Sequence, residues 1–326
     1  MLDARAAPYI FPPSVRVCAA RGDPFDPRQP VTRRGEPMDN IYLRWAGCGH
    51  FDVLMGDVNI CFDPYLFGDD LEAAEPVFDY IFISHEHFDH AHPKTLKKLC
   101  RGDRFKKLFV PIGCLTPNEP VHGKYGFAAF DRDLPITKHI PADKVQVAYP
   151  KYQDVEKNGR REFPGPFEFD LGPLQVEVYE SGENARPDLP TCAYHVVHAE
   201  RDVSVFHTGD LHGAYPDLER MRGRVDYLVH MKTPMGPLVE AVQPRFVVPT
   251  HYRTDRETEP IPAGHWPPNL TDVNAFLEDL REQIGDRATM LPFTAPVQYE
   301  VEMPSKKVKW AWEWFDSWDV PKWIEE

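Results

Sequence analysis

The sequence contains few cysteines, and their spacing does not suggest a covalent framework. Only six cysteines occur among 326 residues, and no two of them form a Cys-x-x-Cys pair. Disulfide-rich domains and cysteine-based zinc sites both use closely spaced pairs, so this distribution argues against either. We therefore expect reduced thiols and a cytoplasmic protein. The six are Cys18, Cys48, Cys61, Cys100, Cys114 and Cys192.

Long apolar segments are also missing. No run approaches the roughly 18 apolar residues that a membrane-spanning helix requires. The first residues, MLDARAAPYIFPPSVRV, carry an early acidic residue and several prolines, and they lack the apolar stretch of a secretory signal. We therefore expect no association with a membrane.

Positive charge is scarce. The chain has 37 Lys and Arg residues against 51 Asp and Glu residues, which gives a formal net charge of −14. Such a negative protein repels polyanions at long range, whereas nucleic-acid-binding proteins gain much of their affinity from basic side chains. The charge balance argues against nucleic acid as the main partner but does not exclude a small anionic substrate.

Short apolar runs separated by turn signals dominate the chain from residue 41 onward. The run at 77–84 is continuous and rich in β-branched and aromatic residues, as in a strand buried on both faces. The run at 174–181 alternates like a half-buried strand, and 273–284 has helical spacing. Two strand-rich halves, each followed by helices, favour an α/β fold of two face-to-face sheets with helices outside. Further strands are predicted at 41–47, 51–56, 58–66, 106–114, 193–200, 203–210, 226–231 and 244–252, and short helices at 92–100 and 237–242.

The two ends of the chain differ from this pattern. Residues 1–40 are rich in Pro and Arg without periodicity, so we predict an irregular arm ahead of the main domain at 41–300. Residues 301–326 form a tail that is rich in tryptophan. Because dense aromatic side chains rarely stay exposed, we expect the tail to pack on its own domain. A homodimer contact and a wall of the substrate pocket are the alternatives.

The most informative segment is IFISHEHFDHAH at 81–92, which contains the pattern His85-x-His87-x-Asp89-His90. Side chains two apart in an extended segment point the same way, so His85 and His87 can serve one point. Asp89 and His90 lie further round the turn and can serve a second. Imidazole and carboxylate ligands suit zinc, iron or manganese better than calcium or magnesium. The segment predicts a metal site rather than a solvated histidine loop.

With this motif the chain resembles the metallo-β-lactamase superfamily, whose core motif is H-x-H-x-D-H after a strand. Further similar segments are spread over residues 41–285. The resemblance implies an αββα sandwich, in which two mixed β-sheets are flanked by helices and the site lies at one edge. The segments are Trp45-Ala-Gly-Cys-Gly-His50 and Ile60-Cys-Phe-Asp63-Pro64-Tyr65, both similar to the lactonase-like branch, His207-Thr-Gly-Asp210, and Pro249-Thr-His251.

The resemblance also implies two metal ions with a hydroxide between them that attacks the substrate. Asp89 and Asp210 are the catalytic candidates, because Asp89 would orient the hydroxide and Asp210 would bridge the metals. Asp63 is a candidate for orienting a ligand imidazole, although a turn that ends the strand is an equally good interpretation. The implied ligands are His85, His87 and Glu183 for the first metal, Asp89, His90 and His251 for the second, and Asp210 for both.

One position departs from the superfamily pattern. Where the family supplies a third histidine to the first metal, this sequence has Glu180-Ser-Gly-Glu183-Asn184. The rhythm of the preceding strand places Glu183 on the ligand position, and Glu180 is the alternative. A carboxylate adds a negative charge and a hard oxygen, so iron is favoured, with zinc or manganese as alternatives. The set is similar to that of a diiron branch of the fold, the β-hydroxylases that modify carrier-bound amino acids.

The remaining histidines near predicted strand ends are expected to be structural. His50, His212 and His230 could line the pocket as proton donors, but a hydrogen-bonded structural role is the favoured interpretation. We expect His92 on the solvated start of a helix, and we expect His207 to point away from the site.

Together these features favour a dinuclear metal-dependent hydrolase of a small acyl substrate, either a thioester, an ester or a lactone. Thioesters are preferred, because an iron-type ligand set and thioester hydrolysis both occur in the superfamily. An oxygen-activating diiron enzyme is one alternative, and it depends on Glu183. Phosphodiester hydrolysis is another, and it would need a basic phosphate cradle, for which Lys232, Arg253 and Arg186 are candidates.

Overall fold

The structure is a computed structural model that describes most of the chain between residues 41 and 310. The predicted arm at 1–40, Glu183 and the tail beyond residue 310 lie outside the described residues. Those ranges are 41–66, 78–87, 89–103, 105–115, 137–149, 153–157, 160–162, 165–182, 190–231, 234–251, 273–291, 297–302 and 307–310.

Eight strands form the first sheet. They are β1 (Ile41–Gly47), β2 (His50–Met55), β3 (Val58–Phe62), β4 (Tyr80–Phe82), β5 (Lys107–Pro111), β6 (Val145–Tyr149), β16 (Val297–Glu302) and β17 (Lys307–Trp310). Their spatial order is β17-β16-β1-β2-β3-β4-β5-β6. Strands β3, β4, β5 and β6 run parallel, whereas the remaining pairs are antiparallel.

Seven strands form the second sheet. They are β9 (Phe167–Asp170), β10 (Leu174–Glu180), β11 (Cys192–His198), β12 (Val203–His207), β13 (Tyr227–His230), β14 (Phe246–Pro249) and β15 (Thr289–Met290), adjacent in sequence order. From β12 to β15 the strands are parallel. A separate antiparallel ribbon consists of β7 (Gln153–Lys157) and β8 (Arg160–Glu162).

The two sheets pack face to face, and helices cover their outer surfaces. Inward-facing residues of both sheets, such as Phe62 and Val205, share one buried apolar cluster. Helix α1 (Pro93–Leu99) covers the first sheet, and α2 (Gly236–Val242) and α3 (Val273–Ile284) cover the second. Each helix buries one apolar stripe against a sheet face, as amphipathic helices do. The predicted αββα sandwich is therefore confirmed.

Several elements match the sequence predictions closely. Strand β10 pairs with β11 over its full length and with β9 over half of it, and its residues alternate in burial. The predicted hairpin at Arg201–Asp202 joins β11 to β12, and Asp202 takes the left-handed conformation there, with φ 49°. By contrast, the run at 77–84 contains only three strand residues, and strands β6 to β9 occupy a region for which no elements were predicted.

Within the described residues, no helix is long and apolar enough to cross a membrane. Within the tryptophan-rich tail, strand β17 pairs with β16 and forms one edge of the first sheet. The proposed dimer contact through the rest of that segment stays a prediction.

Candidate metal centre

The candidate site lies where strands of both sheets end. Because β4 is parallel to β3, and β12 and β14 are parallel to β13, the residues that follow these strands meet at one edge of the sandwich. Asp63 follows β3 and His85 follows β4 in the first sheet. Asp210 follows β12 and His251 follows β14 in the second. All four side chains are buried.

Close packing joins the two sheets at this edge. The backbone N–H of Cys192 donates to the Ser84 carbonyl (2.7 Å), and the Tyr194 hydroxyl donates to the Ile83 carbonyl (2.7 Å). Gly209 precedes Asp210 with φ 55°, and a Cβ at that position would lie 2.7 Å from the Ser84 Cβ. The glycine of the His-Thr-Gly-Asp motif therefore allows the Asp210 turn to press against the histidine segment.

The histidine segment folds back as a tight turn. The backbone N–H of His90 donates to the His87 carbonyl (3.0 Å), and the His85 and His90 ring centroids are 4.1 Å apart. His85 Nε2 lies 2.8 Å from His87 Nδ1. The turn thus brings the nitrogen atoms of His85 and His87 to one point, as the spacing predicts. Ring nitrogens of His85 and His90 and a carboxylate oxygen of Asp210 also lie within 4.8 Å of one another.

Four donor atoms from three segments form a second convergent group. His90 Nε2 lies 3.2 Å from His251 Nε2 and 3.4 Å from Asp210 Oδ1. His251 Nε2 lies 3.2 Å from Asp89 Oδ2 and 3.8 Å from Asp210 Oδ1. His90 Nε2 and Asp89 Oδ2 are 3.7 Å apart. The residues that sequence assigned to the second metal, together with the proposed bridging aspartate, therefore lie together.

Asp63 and Ser84 fix the orientation of two of these rings. The Asp63 carboxylate accepts hydrogen bonds from His90 Nδ1 (2.8 Å), Ser84 N–H (2.6 Å) and the Ser84 hydroxyl (2.6 Å). Because that hydroxyl donates to Asp63, its oxygen is left to accept from His85 Nδ1 (2.9 Å). With both Nδ1 atoms donating, Nε2 is the ring nitrogen of His85 and of His90 that faces the site. Asp63 therefore orients the His90 imidazole, and Ser84 is a partner that the sequence did not reveal.

The charge distribution of the site favours a bound cation. Burial alone would lower the pKa of His90, but three nearby carboxylates outweigh burial and raise that pKa to about 10. Burial would raise the pKa of Asp89, but His90, then His251 and His87, lower it below its ordinary value. Burial, with the nearby His90 and His87, holds the pKa of His85 well below its usual range, so His85 remains a neutral donor. The three carboxylates are those of Asp210, Asp89 and Asp63.

The geometry of the donor set fits a metal ion. Donors bound about 2.0–2.2 Å from one tetrahedral ion lie about 3.3–3.6 Å from each other. The five separations given above among the donors of His90, His251, Asp89 and Asp210 range from 3.2 to 3.8 Å. Neutral imidazole nitrogens and carboxylate oxygens are the donors that zinc, iron and manganese accept.

The third ligand of the first metal position stays open between two glutamates. Glu183, the favoured candidate, lies outside the described residues. Glu180 ends β10 opposite Cys192, and the alternation of that strand places it on the face between the sheets, with Val178. Glu180 is not part of the convergent donor groups found among the described residues.

Most of the other histidines have structural partners. His50 Nε2 lies 2.8 Å from Asp52 Oδ1, and His230 Nδ1 lies 2.8 Å from the Thr208 hydroxyl. The His207 ring stacks on a phenylalanine, and its Nε2 faces the Gly49 carbonyl (3.3 Å).

The prediction of a solvated His92 was wrong. Its ring is buried against Tyr65, with ring centroids 4.7 Å apart, and its Nδ1 lies 2.8 Å from the Thr95 hydroxyl. Burial, and then Lys94, lowers the pKa of His92 to about 4. The residue occupies the N-cap position of α1, where the helix packs on the sheet.

A family model described as the beta-lactamase superfamily domain matches residues 42–251, which is more than half of the chain and contains every described donor above. The chain belongs to the metallo-β-lactamase superfamily. The match begins in β1 and ends at His251, so it spans both sheets.

Individual proteins and solved structures are similar to the chain at low sequence identity. A protein named as a metal-dependent hydrolase from Pyrococcus horikoshii is 25% identical over 270 residues, which cover 77% of this chain and 95% of that protein. The solved structure of a metallo hydrolase from Ignicoccus hospitalis is 15% identical, with TM-score 0.48. The similarity covers 80% of this chain and 98% of that hydrolase. CmlA, a diiron beta-hydroxylase from Streptomyces venezuelae, is 13% identical, with TM-score 0.52. The similarity covers 82% of this chain and 55% of the CmlA chain.

Proposed function

We propose that this member of the superfamily is a hydrolase that uses two metal ions to cleave a small acyl compound. The observation that carries the proposal is the convergence of imidazole and carboxylate donors from β4, β12 and β14 on one buried point. His90 Nε2 and His251 Nε2, 161 residues apart in sequence, approach to 3.2 Å. Named metal-dependent hydrolases among the relatives support the reaction class.

Each residue of the chain has a defined task in this proposal. Two bound metal ions would supply a water of lowered pKa and would polarise a substrate carbonyl. Asp210 Oδ1 lies 3.4 Å from Nε2 of His90, a donor of the second position, and an Asp210 oxygen lies within 4.8 Å of a ring nitrogen of His85, a donor of the first. These contacts support a role for Asp210 at both metal positions. Asp63 and Ser84 keep the rings in the required orientation. The buried setting excludes bulk water and strengthens electrostatic contacts to a developing negative charge.

A small acyl substrate fits the properties of the chain better than a nucleic acid does. The net charge of −14 disfavours a polyanion. Among acyl compounds we favour thioesters, with esters and lactones as the alternatives.

Metal analysis and a substrate panel test the proposal. We expect the full chain, purified without added metal, to contain close to two transition-metal ions per chain and to hydrolyse an acyl compound from a panel of thioesters, esters and lactones. Asp210→Asn should lower that activity by at least about 100-fold, since it removes a carboxylate that serves both metals. Asp202→Asn is the matched control, because Asp202 is exposed at the opposite end of β12 and asparagine tolerates its left-handed backbone.

Two results would reject this function. One is a chain that binds no metal when iron, zinc and manganese are supplied. The other is a metal-loaded chain that leaves every acyl compound intact but cleaves a phosphodiester in the same panel.

A second candidate, an oxygen-activating diiron enzyme, is favoured by the acidic segment at 180–184. That segment supplies Glu180 and Glu183 but no histidine, and the chain shares its fold with CmlA. If this function holds, the iron-loaded chain should be coloured and should consume oxygen when a substrate is present. Glu183→Gln should abolish the colour if Glu183 is the ligand, and Glu180→Gln should do so if Glu180 is the ligand. Glu219→Gln, at an exposed position, is the control and should keep the colour. Hydrolysis at an unchanged rate under nitrogen would reject it.

A further inference from the structure

A thiol lies beside the donors of the second metal position. Cys48 Sγ is 3.8 Å from Asp89 Oδ2 and 3.6 Å from the Asp89 carbonyl oxygen. The Cys48 sulfur, an Asp89 oxygen and a His251 ring nitrogen all lie within 4.8 Å of one another, and all three residues are buried. Sequence spacing gave no hint of this group, because Cys48 has no cysteine partner in a motif.

The backbone holds Cys48 firmly in this place. The His251 N–H donates to the Cys48 carbonyl (3.1 Å), and Trp45 Nε1 donates to the same oxygen (2.7 Å). One ligand of the second metal position is thus hydrogen-bonded to the residue that carries the thiol. The side chain of Cys48 is fully buried and points at another ligand, Asp89.

We infer that the Cys48 sulfur is an additional ligand of the second metal ion, next to Asp89 and His251. The inference rests on the proposed metal centre and adds a soft donor to it. A sulfur about 2.3 Å and an oxygen about 2.0 Å from one ion lie about 3.5–3.8 Å apart at ordinary coordination angles. The observed distance of 3.8 Å between Cys48 Sγ and Asp89 Oδ2 agrees with this geometry.

A sulfur ligand has a consequence for metal choice. Thiolate favours zinc, iron(II) and cobalt(II) over harder ions such as manganese(II), which prefer oxygen ligands. The two metal positions therefore differ in chemistry. The first has imidazole and carboxylate donors, whereas the second also has sulfur and selects the softer ion.

Cobalt(II) is the probe that tests this inference, because a cobalt–thiolate bond gives an intense near-ultraviolet charge-transfer band. We expect the full chain, stripped of metal and titrated with cobalt(II), to show this band as the second metal position fills. Cys48→Ser should lose the band while keeping the visible cobalt bands of the first position. It should also bind the cobalt ion of the second position at least about 10-fold more weakly, because even replacing a group that only supports a ligand costs about that much.

Cys61→Ser is the matched control, because Cys61 is equally buried and lies near another group of candidate donors, His50 and Asp52. It should keep the band. Cys48→Gly serves as a second variant, since glycine accepts the positive φ of 48° without strain and should also lose the band. Circular dichroism checks that both variants fold.

The outcomes separate this inference from the proposed function. Two bound cobalt ions without a charge-transfer band in the unmodified chain would overturn the Cys48 assignment and leave the metal centre standing. A band that persists in Cys48→Ser, or disappears in Cys61→Ser instead, would also overturn it. A chain that binds no cobalt would remove both the inference and the proposed function.

Discussion

Asp63 accepts three hydrogen bonds at once, from the Ser84 N–H, the Ser84 hydroxyl and His90 Nδ1. Asparagine has one acceptor oxygen instead of two, and its amide would place donors against donors. We expect Asp63→Asn to lower the affinity for one metal by about 10- to 100-fold, because the His90 ring loses its orienting partner. The positive φ of 43° at this position suits asparagine, so the fold should persist.

Metal titration of Asp63→Asn checks this prediction, and Asp57→Asn is the control. Asp57 is exposed in the β2–β3 turn of the same sheet. Equal metal affinity for both variants would mean that Asp63 serves only as a turn residue.

Gly49 is close to the same ring. A Cβ at Gly49 would lie 3.0 Å from His90 Nδ1 and 3.2 Å from the Asp63 Cβ. Gly49→Ala should therefore displace the His90 ring and weaken metal binding by at least about tenfold, because ligand geometry tolerates shifts of only a few tenths of an ångström. At Gly213 a Cβ would meet open space, so Gly213→Ala should bind metal normally in the same titration.

Backbone conformation also sets the site apart at the residue scale. Among the described residues, five non-glycine residues have positive φ, and three of them lie at the site. Non-glycine residues avoid this region unless the surrounding structure enforces it, and such positions concentrate at functional sites. The sequence alone did not indicate these conformations. The three are Cys48, Asp63 and His251.

At the scale of elements, strand β10 carries a polar cluster on its outer face. Glu177 faces His195 Nδ1 (2.9 Å), the Arg224 guanidinium (2.8 Å) and the Tyr179 hydroxyl (3.1 Å). Burial would raise the pKa of Glu177, but its hydrogen bonds to His195 and Arg224 outweigh burial and lower the pKa from 4.5 to about 2. This cluster connects β10 and β11 to the loop before β13.

The lowered pKa of Glu177 predicts how stability depends on pH. The carboxylate is favoured in the folded state, so its contribution is complete above about pH 4.5 and is lost as the pH falls towards 2. Glu177→Gln should cost about 1–2 kcal/mol at pH 7, a figure reduced for partial solvent screening, and the difference from the unmodified chain should vanish near pH 2. Thermal unfolding across this pH range measures it. The exposed Glu219→Gln should show no such pH dependence, and a constant difference for Glu177→Gln would rule out the assignment.

Strands and helices whose apolar residues recur with a clear period could be predicted from the sequence, and those without such a period could not. Strand β10 alternates because one face meets the core and the other meets solvent. Strand β4 is buried on both faces, so its apolar run does not mark where pairing ends, and the strand is shorter than predicted. Strands β6 to β9 are short, and prolines interrupt the chain between β6 and β7 and between β8 and β9, which hid their pattern.

Most of the candidate site could be predicted because its donors occur in short motifs at strand ends. The motifs at His85–His90, Asp210 and His251 identified the donors, but the pairing of strands decides which atoms meet. Cys48 lies in the Trp45–His50 segment and Ser84 directly precedes His85, but neither was recognised as part of the site, because only the pairing of strands shows which atoms they approach. The ligand role of Glu183 and the tail dimer stay predictions.

At the scale of the whole molecule, the candidate metal centre lies at one edge where the two sheets meet, whereas a shared apolar core fills the space between them. Ligands that bind only the folded state stabilise it, by about 2.7 kcal/mol when the free ligand is at 100 times its Kd. Removing the metals should therefore lower the unfolding temperature by several degrees without unfolding the sandwich, because the core clusters contain none of the metal donors.

Calorimetry with and without a chelator, at pH 7, measures this contribution. In Asp210→Asn the chelator should lower the unfolding temperature much less, since less metal is bound before it is added. In Asp202→Asn the chelator should act as it does on the unmodified chain. A chelator that unfolds the chain outright, with loss of far-ultraviolet circular dichroism, would show that the core alone cannot hold the sheets together. An unchanged unfolding temperature would show that the two sheets gain nothing from sharing a metal centre.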